Sequence, residues 1–350
     1  MTTGWHRRRR PYGPQGRAAL RSGPAYAALD LGTNNCRLLV ATPCDEGGFR
    51  VVDAFSRIVR LGEGLGRAGR LSPAAMTRTI DALRVCAGKI HRCSVAAARN
   101  VATEACRQAA NCDEFLARVA VETGLVIETI SSAEEVRLVL QGCMPLLEVA
   151  PSYGLVFDIG GGSTEVVWVR LDKGPPEILD WISIPLGVVN LSERYGQGTL
   201  TVDDYDRLIA EIDGYLAPFC TRHGIAAVVA DGAVQMLGTS GTVTTLCGLS
   251  LGLPRYDRSV VDGTYLGFDA IERICGRLQH MDCAGRATQP CIGSERADLV
   301  VSGCAVLEAI CKRWPVGRLK VADRGIREGI LCELMQDGGP RAPAGADAPA

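Results

Sequence analysis

The sequence predicts two related α/β domains that face each other, and three observations indicate this. The chain has 350 residues, enough for two domains of roughly 100–200 residues each. Helix and strand signals alternate along it, which is typical of layered α/β folds. An apolar strand, an aspartate, a turn of small residues and a second apolar strand occur twice, around Asp30 and around Asp158.

The two hairpins are related to each other. Aligning Asp30 with Asp158 pairs Gly32 with Gly160 and pairs Arg37 with Glu165. Small-residue turns between apolar runs predict β-hairpins. Because each copy opens an α/β stretch, two copies indicate a duplicated domain.

The remaining elements follow from caps and apolar periodicity. Ser72 before Pro73 predicts a helix start, with serine as the N-cap and proline at the first position. The same reasoning predicts helices over 113–122, 203–219, 268–278, 297–313 and 325–335, and strands over 94–98 and 226–230.

Composition excludes several classes of protein. With 38 Lys+Arg and 39 Asp+Glu the net charge is -1, so specific nucleic-acid binding is not expected. A run of about 20 apolar residues is missing from the sequence, so we expect no membrane-spanning helix. The 15 cysteines are odd in number, lack a C-x-x-C pair and sit mostly in apolar runs, which favours reduced thiols and a cytoplasmic location. The four histidines are far apart, which argues against zinc.

The glycine-rich turns predict a phosphate site. Such turns expose backbone N–H groups that bind phosphate oxygens, and an aspartate at the strand end suits Mg²⁺. A third turn follows an apolar stretch and enters a helix, whose N-terminus also favours an anion. The candidate phosphate-binding residues in the three turns are Gly32, Thr33 and Asn34; Gly160, Gly161, Gly162, Ser163 and Thr164; and Gly238, Thr239, Ser240, Gly241 and Thr242.

A further glycine motif does not predict a nucleotide site. Gly64, Gly66 and Gly69 fit the G-x-G-x-x-G pattern, but a dinucleotide site needs an immediate helix start after a strand. The predicted helix cap, Ser72, comes three residues after the last glycine. We therefore expect an ordinary loop there.

Six blocks, in order, resemble the Ppx/GppA family of exopolyphosphatases and guanosine pentaphosphate phosphohydrolases. The resemblance runs from about residue 26 to 336 and matches the short, two-domain form. The blocks are Val101–Arg107, Ile130–Glu135, Asp158–Glu165, Ile184–Gly187, Gly238–Thr242 and Asp323–Gly329.

The resemblance implies two actin-like domains with a cleft between them. It places domain I at 25–133, completed by a C-terminal helix at 323–337, and domain II at 134–322. Residues 1–24, with the run Arg7–Arg10, are expected to form a disordered basic arm, either merely solvated or weakly polyanion-binding. Residues 338–350 are expected to form a disordered tail.

The resemblance also implies roles for charged residues. Glu135 matches the catalytic acid position; alternatively, it caps its own helix from Ser132. Asp158, with Asp30 as its counterpart, would hold Mg²⁺, and Glu165 would orient water or the metal shell unless it is an outward strand charge. Arg107 would lie near the phosphates unless it is a solvated helix charge. A polyanion path would use Arg296, Arg324 and Arg327.

The implied activity is Mg²⁺-dependent release of terminal orthophosphate from inorganic polyphosphate, within stringent-response metabolism. Hydrolysis of guanosine pentaphosphate is the alternative, although the low aromatic content of 5% offers no obvious platform for a base. An actin-like ATPase or sugar kinase and a non-catalytic polyphosphate sensor represent other classes. We expect no membrane partner, and a homodimer is left open.

Overall fold

Two β-sheets with helices packed on them form the described part of the chain, which is residues 23–44, 48–196 and 200–336 of a computed structural model. The predicted basic arm, up to residue 22, and the predicted C-terminal tail lie outside the described residues. Elements are numbered below in chain order.

The first sheet has five strands in the order β3-β2-β1-β4-β5. These strands are β1 (Tyr26–Leu31), β2 (Asn35–Pro43), β3 (Phe49–Ile58), β4 (Ala97–Ala102) and β5 (Glu128–Thr129). The helices of this half are α1 (Leu65–Ala68), α2 (Pro73–Arg92), α3 (Glu104–Gln108) and α4 (Cys112–Thr123). Helix α5 (Ser132–Cys143) and a 3₁₀ turn (Met144–Leu146) lead to the second sheet.

The second sheet has six strands in the order β10-β11-β9-β6-β7-β8. These strands are β6 (Tyr153–Ile159), β7 (Thr164–Arg170), β8 (Glu177–Ile184), β9 (Val234–Thr239), β10 (Tyr265–Gly267) and β11 (Arg318–Ala322). The helices are α6 (Val188–Tyr195), α7 (Val202–Arg222), α8 (Ile225–Ala230), α9 (Gly241–Ser250), α10 (Arg258–Val261), α11 (Phe268–Gln279), α12 (Cys283–Ala287), α13 (Val300–Arg313) and α14 (Ile326–Gln336).

The two sheets repeat one topology. In each, an antiparallel hairpin pairs on one side with a third antiparallel strand and on the other with a parallel strand. Asp30 lies opposite Arg37 in the first hairpin, and Asp158 lies opposite Glu165 in the second. The predicted duplication and the two-domain, actin-like α/β fold class are thus confirmed.

Alternation along the central strands divides the core into three parts, because successive side chains point to opposite faces of a sheet. Leu29 packs with α2 and α4 on one face of the first sheet. Phe157 packs with α7 and α13 on one face of the second. Ala28 and Val156 point the other way and share a third cluster with α5 and α14. These two helices therefore fill the space between the sheets.

Helices α5 and α14 cross with their backbones in contact. A Cβ added at Gly329 would lie 2.1 Å from the carbonyl oxygen of Leu138, and one at Gly142 would lie 2.2 Å from that of Gly325. Only glycine permits such an approach. Since α5 carries Glu135 and α14 carries Arg327, the crossing sets the spacing of these two side chains.

Local expectations are mostly confirmed, with three corrections. Ser72 caps α2 as predicted, its Oγ accepting a hydrogen bond from the Ala75 N–H at 3.2 Å. The glycine motif at 64–69, expected to be a loop, contains the four-residue helix α1, flanked by Gly64 and Gly69 in the left-handed region (φ 74° and 64°).

The strand predicted over 226–230 is wrong: these residues form α8, which begins after Gly224 in the left-handed region (φ 60°). Val228 and Val229 lie in α8 and pack against the core of the second half. Their β-propensity does not decide the structure, because β-propensity depends on context. The strand predicted over 94–98 begins later, at Ala97.

Two composition arguments bear on the structure. All fifteen cysteines are free thiols, as predicted. Within the described ranges, every helix is too short or too polar to cross a bilayer.

Replacing Gly329 with alanine should destabilise the protein, because the new methyl group meets backbone rather than a movable side chain. Overpacking of this kind costs about 1–3 kcal/mol or more. Gly276→Ala is the matched control: a Cβ added at this helical glycine has nothing within 4 Å, and alanine should stabilise α11 by up to about 1 kcal/mol. Urea unfolding of both variants tests this, and equal stabilities would contradict the close crossing.

Candidate active site

The three glycine turns meet at one cavity between the two halves. The cavity has a volume of about 120 Å³. Gly32–Asn34, Gly160–Ser163 and Ser240–Thr242 line it, together with Asp30, Asp158 and Glu135. A larger cleft of about 900 Å³ adjoins it and shares Asp30 and Asp158 with it. The duplicated hairpins therefore place both aspartates at the junction of the two spaces.

The first and second turns touch each other directly. A Cβ at Gly161 would lie 3.1 Å from the Asn34 nitrogen, and one at Gly162 would lie 2.7 Å from Thr33 Oγ1. Behind them, Gly187 is pressed so close that its Cβ would lie 2.3 Å from the Gly161 carbonyl carbon. A side chain at Gly161 or Gly162 would push the two halves apart, and a side chain at Gly187 would displace the second turn.

The third turn is strained. Ser240 has φ 130° and ψ 171°, a region used almost solely by glycine and costing about 1–3 kcal/mol. Its Oγ caps α9 by accepting from the Val243 N–H at 3.3 Å. The N-terminal turn of α9, at Gly241 and Thr242, lines the cavity, so its N–H groups and dipole favour an anion there.

Glu135 faces the cavity while almost fully buried, with 7% of its surface exposed. The helix cap is Ser131, whose Oγ accepts from the Glu134 N–H at 3.2 Å. Because the N-cap of this described helix is Ser131 and not Ser132, Glu135 is not the acidic residue of a capping box. Its side chain is therefore available for other contacts. Arg107 Nη1 donates to Glu135 Oε2 at 2.7 Å.

Arg107 is placed to hold Glu135. Its Nε donates to Glu104 Oε2 at 2.8 Å, and its Nη1 also donates to the Ile130 carbonyl at 3.0 Å. The guanidinium thus fixes the direction of the Glu135 carboxylate. The predicted contact between Arg107 and a phosphate stays a prediction.

Three other predicted site residues lie behind the cavity wall. Glu165 is 2% exposed and accepts a hydrogen bond from Ser183 Oγ at 2.9 Å. Thr164 Oγ1 donates to the Leu186 carbonyl at 2.8 Å. Gly238 packs on the Phe157 ring, where a Cβ would lie 2.5 Å from Cζ. These residues support the turns from behind.

Four neighbouring carboxylates all carry raised pKa values. Burial raises the pKa of Asp30, and it raises the pKa of Asp158 to about 6, with Arg37 opposing the effect and Asp30 adding to it. Burial raises the pKa of Glu165 to about 7. Burial, and next the charge of Glu165, raise the pKa of Glu135, while Arg107 opposes the shift. Burial therefore disfavours the ionised form of all four carboxylates.

This donor set fits Mg²⁺. Among the described residues there is no cluster of three or more His, Cys, Asp and Glu side chains that could hold a metal. Mg²⁺ is commonly held by one or two carboxylates, with water and substrate phosphates completing its shell. Asp30 and Asp158 provide two carboxylates at the cavity, and burial raises the pKa of both.

Both arginines and carboxylates line the larger cleft, and the carboxylates are Asp30, Asp158, Glu295, Asp323 and Glu328. The arginines are Arg37, Arg57, Arg258, Arg296, Arg324 and Arg327. Arg324 is engaged by Asp262 at 2.8 Å, and Arg258 by Glu328 at 2.7 Å. Burial, together with the charge of Arg37, lowers the pKa of both Arg296 and Arg327. The charge of Arg37 therefore disfavours the charged forms of Arg296 and Arg327, and an anion bound in the cleft would oppose this effect.

Comparison with known proteins agrees with this geometry. Residues 40–337 match the model of the Ppx/GppA phosphatase family. The chain belongs to this family.

Among its Ppx/GppA relatives is "Exopolyphosphatase 2" of Mycobacterium tuberculosis, which is 33% identical over 88% of this chain and 98% of that protein. A guanosine-5'-triphosphate,3'-diphosphate pyrophosphatase of Aeromonas salmonicida is 31% identical over 90% of this chain and 60% of that protein. The crystal structure of the Aquifex aeolicus Ppx/GppA family member matches with a TM-score of 0.73 and 27% identity, over 91% of this chain and 99% of that one.

Sequence reasoning missed several residues of this Ppx/GppA site. The hairpin alignment pairs Arg37 with Glu165 but assigns it no role, although the hairpin register already places it opposite Asp30. Thr103 and Glu104 line the small cavity from within a block that the resemblance includes. Tyr256 lines the larger cleft, and its hydroxyl donates to Asp323 Oδ2 at 2.6 Å. It lies outside every motif, so only the fold could bring it there.

The raised pKa of Glu165 predicts a pH-dependent stability. Between pH 4.5 and about 7 the folded protein keeps a proton on Glu165 that the unfolded chain has lost, so this residue destabilises the fold as pH rises. Glu165→Gln cannot titrate. Its stability relative to the unmutated protein should therefore increase across this range, by on the order of 1–3 kcal/mol.

Denaturant unfolding at several pH values, without metal, measures this difference. Glu134→Gln is the control, because the hydrogen bond from Arg137 lowers the pKa of Glu134 and it stays ionised throughout the range. Its stability difference should be flat from about pH 5.5 to 8. A flat difference for Glu165→Gln as well would show that Glu165 is ionised in the fold.

Proposed function

We propose that this protein is an exopolyphosphatase, which hydrolyses the terminal phosphoanhydride bond of inorganic polyphosphate and releases orthophosphate. One observation carries the proposal: three glycine turns and the buried Glu135 converge on a cavity that opens into an arginine-lined cleft. The small cavity suits one phosphoryl group, and the cleft suits the rest of an anionic chain. The family relationship supports the same activity.

Binding would rest on backbone donors and guanidinium groups. The N–H groups of the three turns would surround the oxygens of the terminal phosphoryl group. Arg37, Arg296 and Arg327 would neutralise the following phosphates, and the anion would oppose the effect of Arg37 on the pKa of the other two. Because the turns come from both halves of the chain, the terminal phosphate would join the two halves.

Glu135 would act as the general base. A water molecule held beside it attacks the terminal phosphorus, and its proton passes to a Glu135 oxygen. The bond between the phosphorus and the bridging oxygen breaks, and the shortened chain leaves with that oxygen. Arg107 keeps the carboxylate aimed at the water, and the raised pKa of Glu135 makes it a stronger proton acceptor.

Magnesium is the cofactor that the site residues fit. Asp158 and Asp30 would hold it, while Glu165, behind the wall, would influence it through charge. When bound, Mg²⁺ would neutralise charge on the phosphates of the substrate. The chain's own part is to present two carboxylates at the junction of cavity and cleft.

Glu135→Gln should lower kcat for orthophosphate release by about 10²–10⁴-fold, because the amide keeps the shape but cannot accept the proton. Glu134→Gln is the matched control, as the adjacent residue bonds to Arg99 and Arg137 and should leave kcat nearly unchanged. A colorimetric phosphate assay on polyphosphate measures both. Retention of most turnover in Glu135→Gln would remove Glu135 from the chemistry.

Treatment with EDTA should abolish turnover, and added Mg²⁺ should restore it. Asp158→Asn should raise the Mg²⁺ concentration for half-maximal activity by about tenfold or more, because a hard cation prefers a charged oxygen. Asp269→Asn, at an exposed aspartate on α11, is the control and should match the unmutated protein. Full activity after EDTA would contradict the metal role.

Guanosine pentaphosphate hydrolysis is the second candidate, and two observations favour it. Relatives of that name align over 90% of this chain, and an aromatic residue, Tyr256, is among those that line the cleft. The same catalytic residues would serve both substrates. A sugar kinase or ATPase would need an adenosine pocket and a second-substrate site, and a silent sensor would not need Glu135 beside the cavity.

Salt dependence separates the two substrates. A long polyanion contacts more guanidinium groups, so the KM for long polyphosphate should rise steeply with salt while that for tripolyphosphate rises little, by analogy with counterion release from nucleic acids. Orthophosphate release from both chains and from guanosine pentaphosphate, at several salt concentrations, tests this. Equal slopes, or a higher kcat/KM for the guanosine nucleotide, would favour the second candidate.

The cytoplasmic location, the link to stringent-response metabolism and the homodimer stay predictions. The free thiols are compatible with a reducing compartment.

A further inference from the structure

One ion pair joins the two halves beside the small cavity and has no part in the chemistry above. Arg60, which follows β3, reaches Asp298, which precedes α13. Arg60 Nη1 lies 2.9 Å from Asp298 Oδ2, and Nη2 donates to Oδ1 at 3.1 Å. Nη2 also donates to the Glu295 carbonyl at 3.2 Å. With side chains 28% and 12% exposed, this two-pronged pair is partly shielded from water, unlike an ordinary surface pair.

On its own side, Arg60 is fastened to the first glycine turn. The N–H groups of Val59 and Arg60 both donate to the Asn34 carbonyl, at 2.9 and 3.0 Å, and the Gly62 N–H donates to the Thr33 carbonyl at 3.0 Å. Arg60 itself has φ 48°, in the left-handed region that arginine rarely adopts. A displacement of the Arg60 backbone would therefore move Thr33 and Asn34.

In the second half, Asp298 lies in the same short segment as Arg296. Only one residue, Ala297, separates them, and its carbonyl accepts from the buried Arg286 Nη1 at 3.0 Å. The Asp298 carbonyl accepts from Ser192 Oγ at 2.9 Å. Arg296 lines both the small cavity and the cleft. The segment that bears Arg296 is thus braced at two points and tied to Arg60 at a third.

We propose that Arg60 and Asp298 are positioning residues, which fix the distance between the first glycine turn and Arg296 around the bound phosphates. The inference rests on the proposed function, since it assigns the pair an effect on that same site. A rigid two-pronged pair suits this purpose, because small displacements of reacting groups cost large factors in rate. Cutting the pair should loosen the phosphate site on both sides of the cavity.

The pair can be cut without separating the two halves. The Gly64 N–H donates to Glu193 Oε1 at 2.8 Å, which is an independent bond between them. The contact between the first and second glycine turns and the crossing of α5 and α14 also remain. Variants of the pair should therefore fold, and loss of activity can be told apart from loss of structure.

The experiment compares Arg60→Asn, Asp298→Asn and the double variant. Asparagine tolerates the left-handed conformation at position 60. Asp269→Asn is the control, since it removes an exposed pair with Arg273 on α11 that lies away from the cavity. For each protein one measures kcat and KM for tripolyphosphate, the thermal midpoint, and the rise in that midpoint on adding inorganic tripolyphosphate with Mg²⁺.

Each single variant should lose about tenfold or more in kcat/KM, and the double variant should lose no more than either single, because the residues act as a unit. The Asp269→Asn protein should stay within about twofold of the unmutated one, and all thermal midpoints without ligand should agree within a few degrees. Additive losses, unchanged kcat/KM, or losses that parallel a fall in the ligand-free midpoint would overturn the proposal.

A failure of the proposed function gives a different result. If the unmutated protein releases no orthophosphate but is stabilised by tripolyphosphate, the function is wrong, and the pair is tested by that stabilisation alone. A smaller rise in the variants then supports the positioning role, and an equal rise overturns it. An unmutated protein with neither turnover nor stabilisation overturns both.

Discussion

The direct contact between the first and second glycine turns is the constraint on which the rest of the molecule depends. Gly161 and Gly162 lie against Thr33 and Asn34 with no room for a side chain. This contact brings the ends of two duplicated hairpins together, and with them Asp30 and Asp158. The two halves therefore share one cavity, and a ligand bound in that cavity contacts both of them.

Burial at that contact has an electrostatic consequence. Asp30, Asp158, Glu135 and Glu165 are all driven toward their protonated forms, while arginines in the adjoining cleft repel one another. Opposite charges offset part of both effects: Arg107 opposes the shift at Glu135, and Glu328 opposes the shift at Arg327. In the proposed function, the phosphates of the substrate would meet the arginines of the cleft, and a divalent cation would meet Asp30 and Asp158.

Much of this could be predicted from the sequence, because hairpin motifs are local. Short segments of the chain contain the aspartates and the three turns. Alignment of the two hairpin segments also shows that Arg37 and Glu165 occupy corresponding positions. What Arg107 and Tyr256 contact could not be predicted, because both depend on packing between distant segments. The strand expected over 226–230 is a helix, because the packing of its valines on the core outweighs their β-propensity. Glu135 was ambiguous in sequence, and the cap at Ser131 decides where its helix begins.

A crystal structure of the Glu135→Gln variant with tripolyphosphate and Mg²⁺ tests the central claim most directly. The terminal phosphoryl group should lie among the three glycine turns, the metal on Asp158 and Asp30, and the remaining phosphates beside Arg37 and Arg296. A chain bound outside the cavity, or a terminal phosphorus out of reach of residue 135, would contradict it.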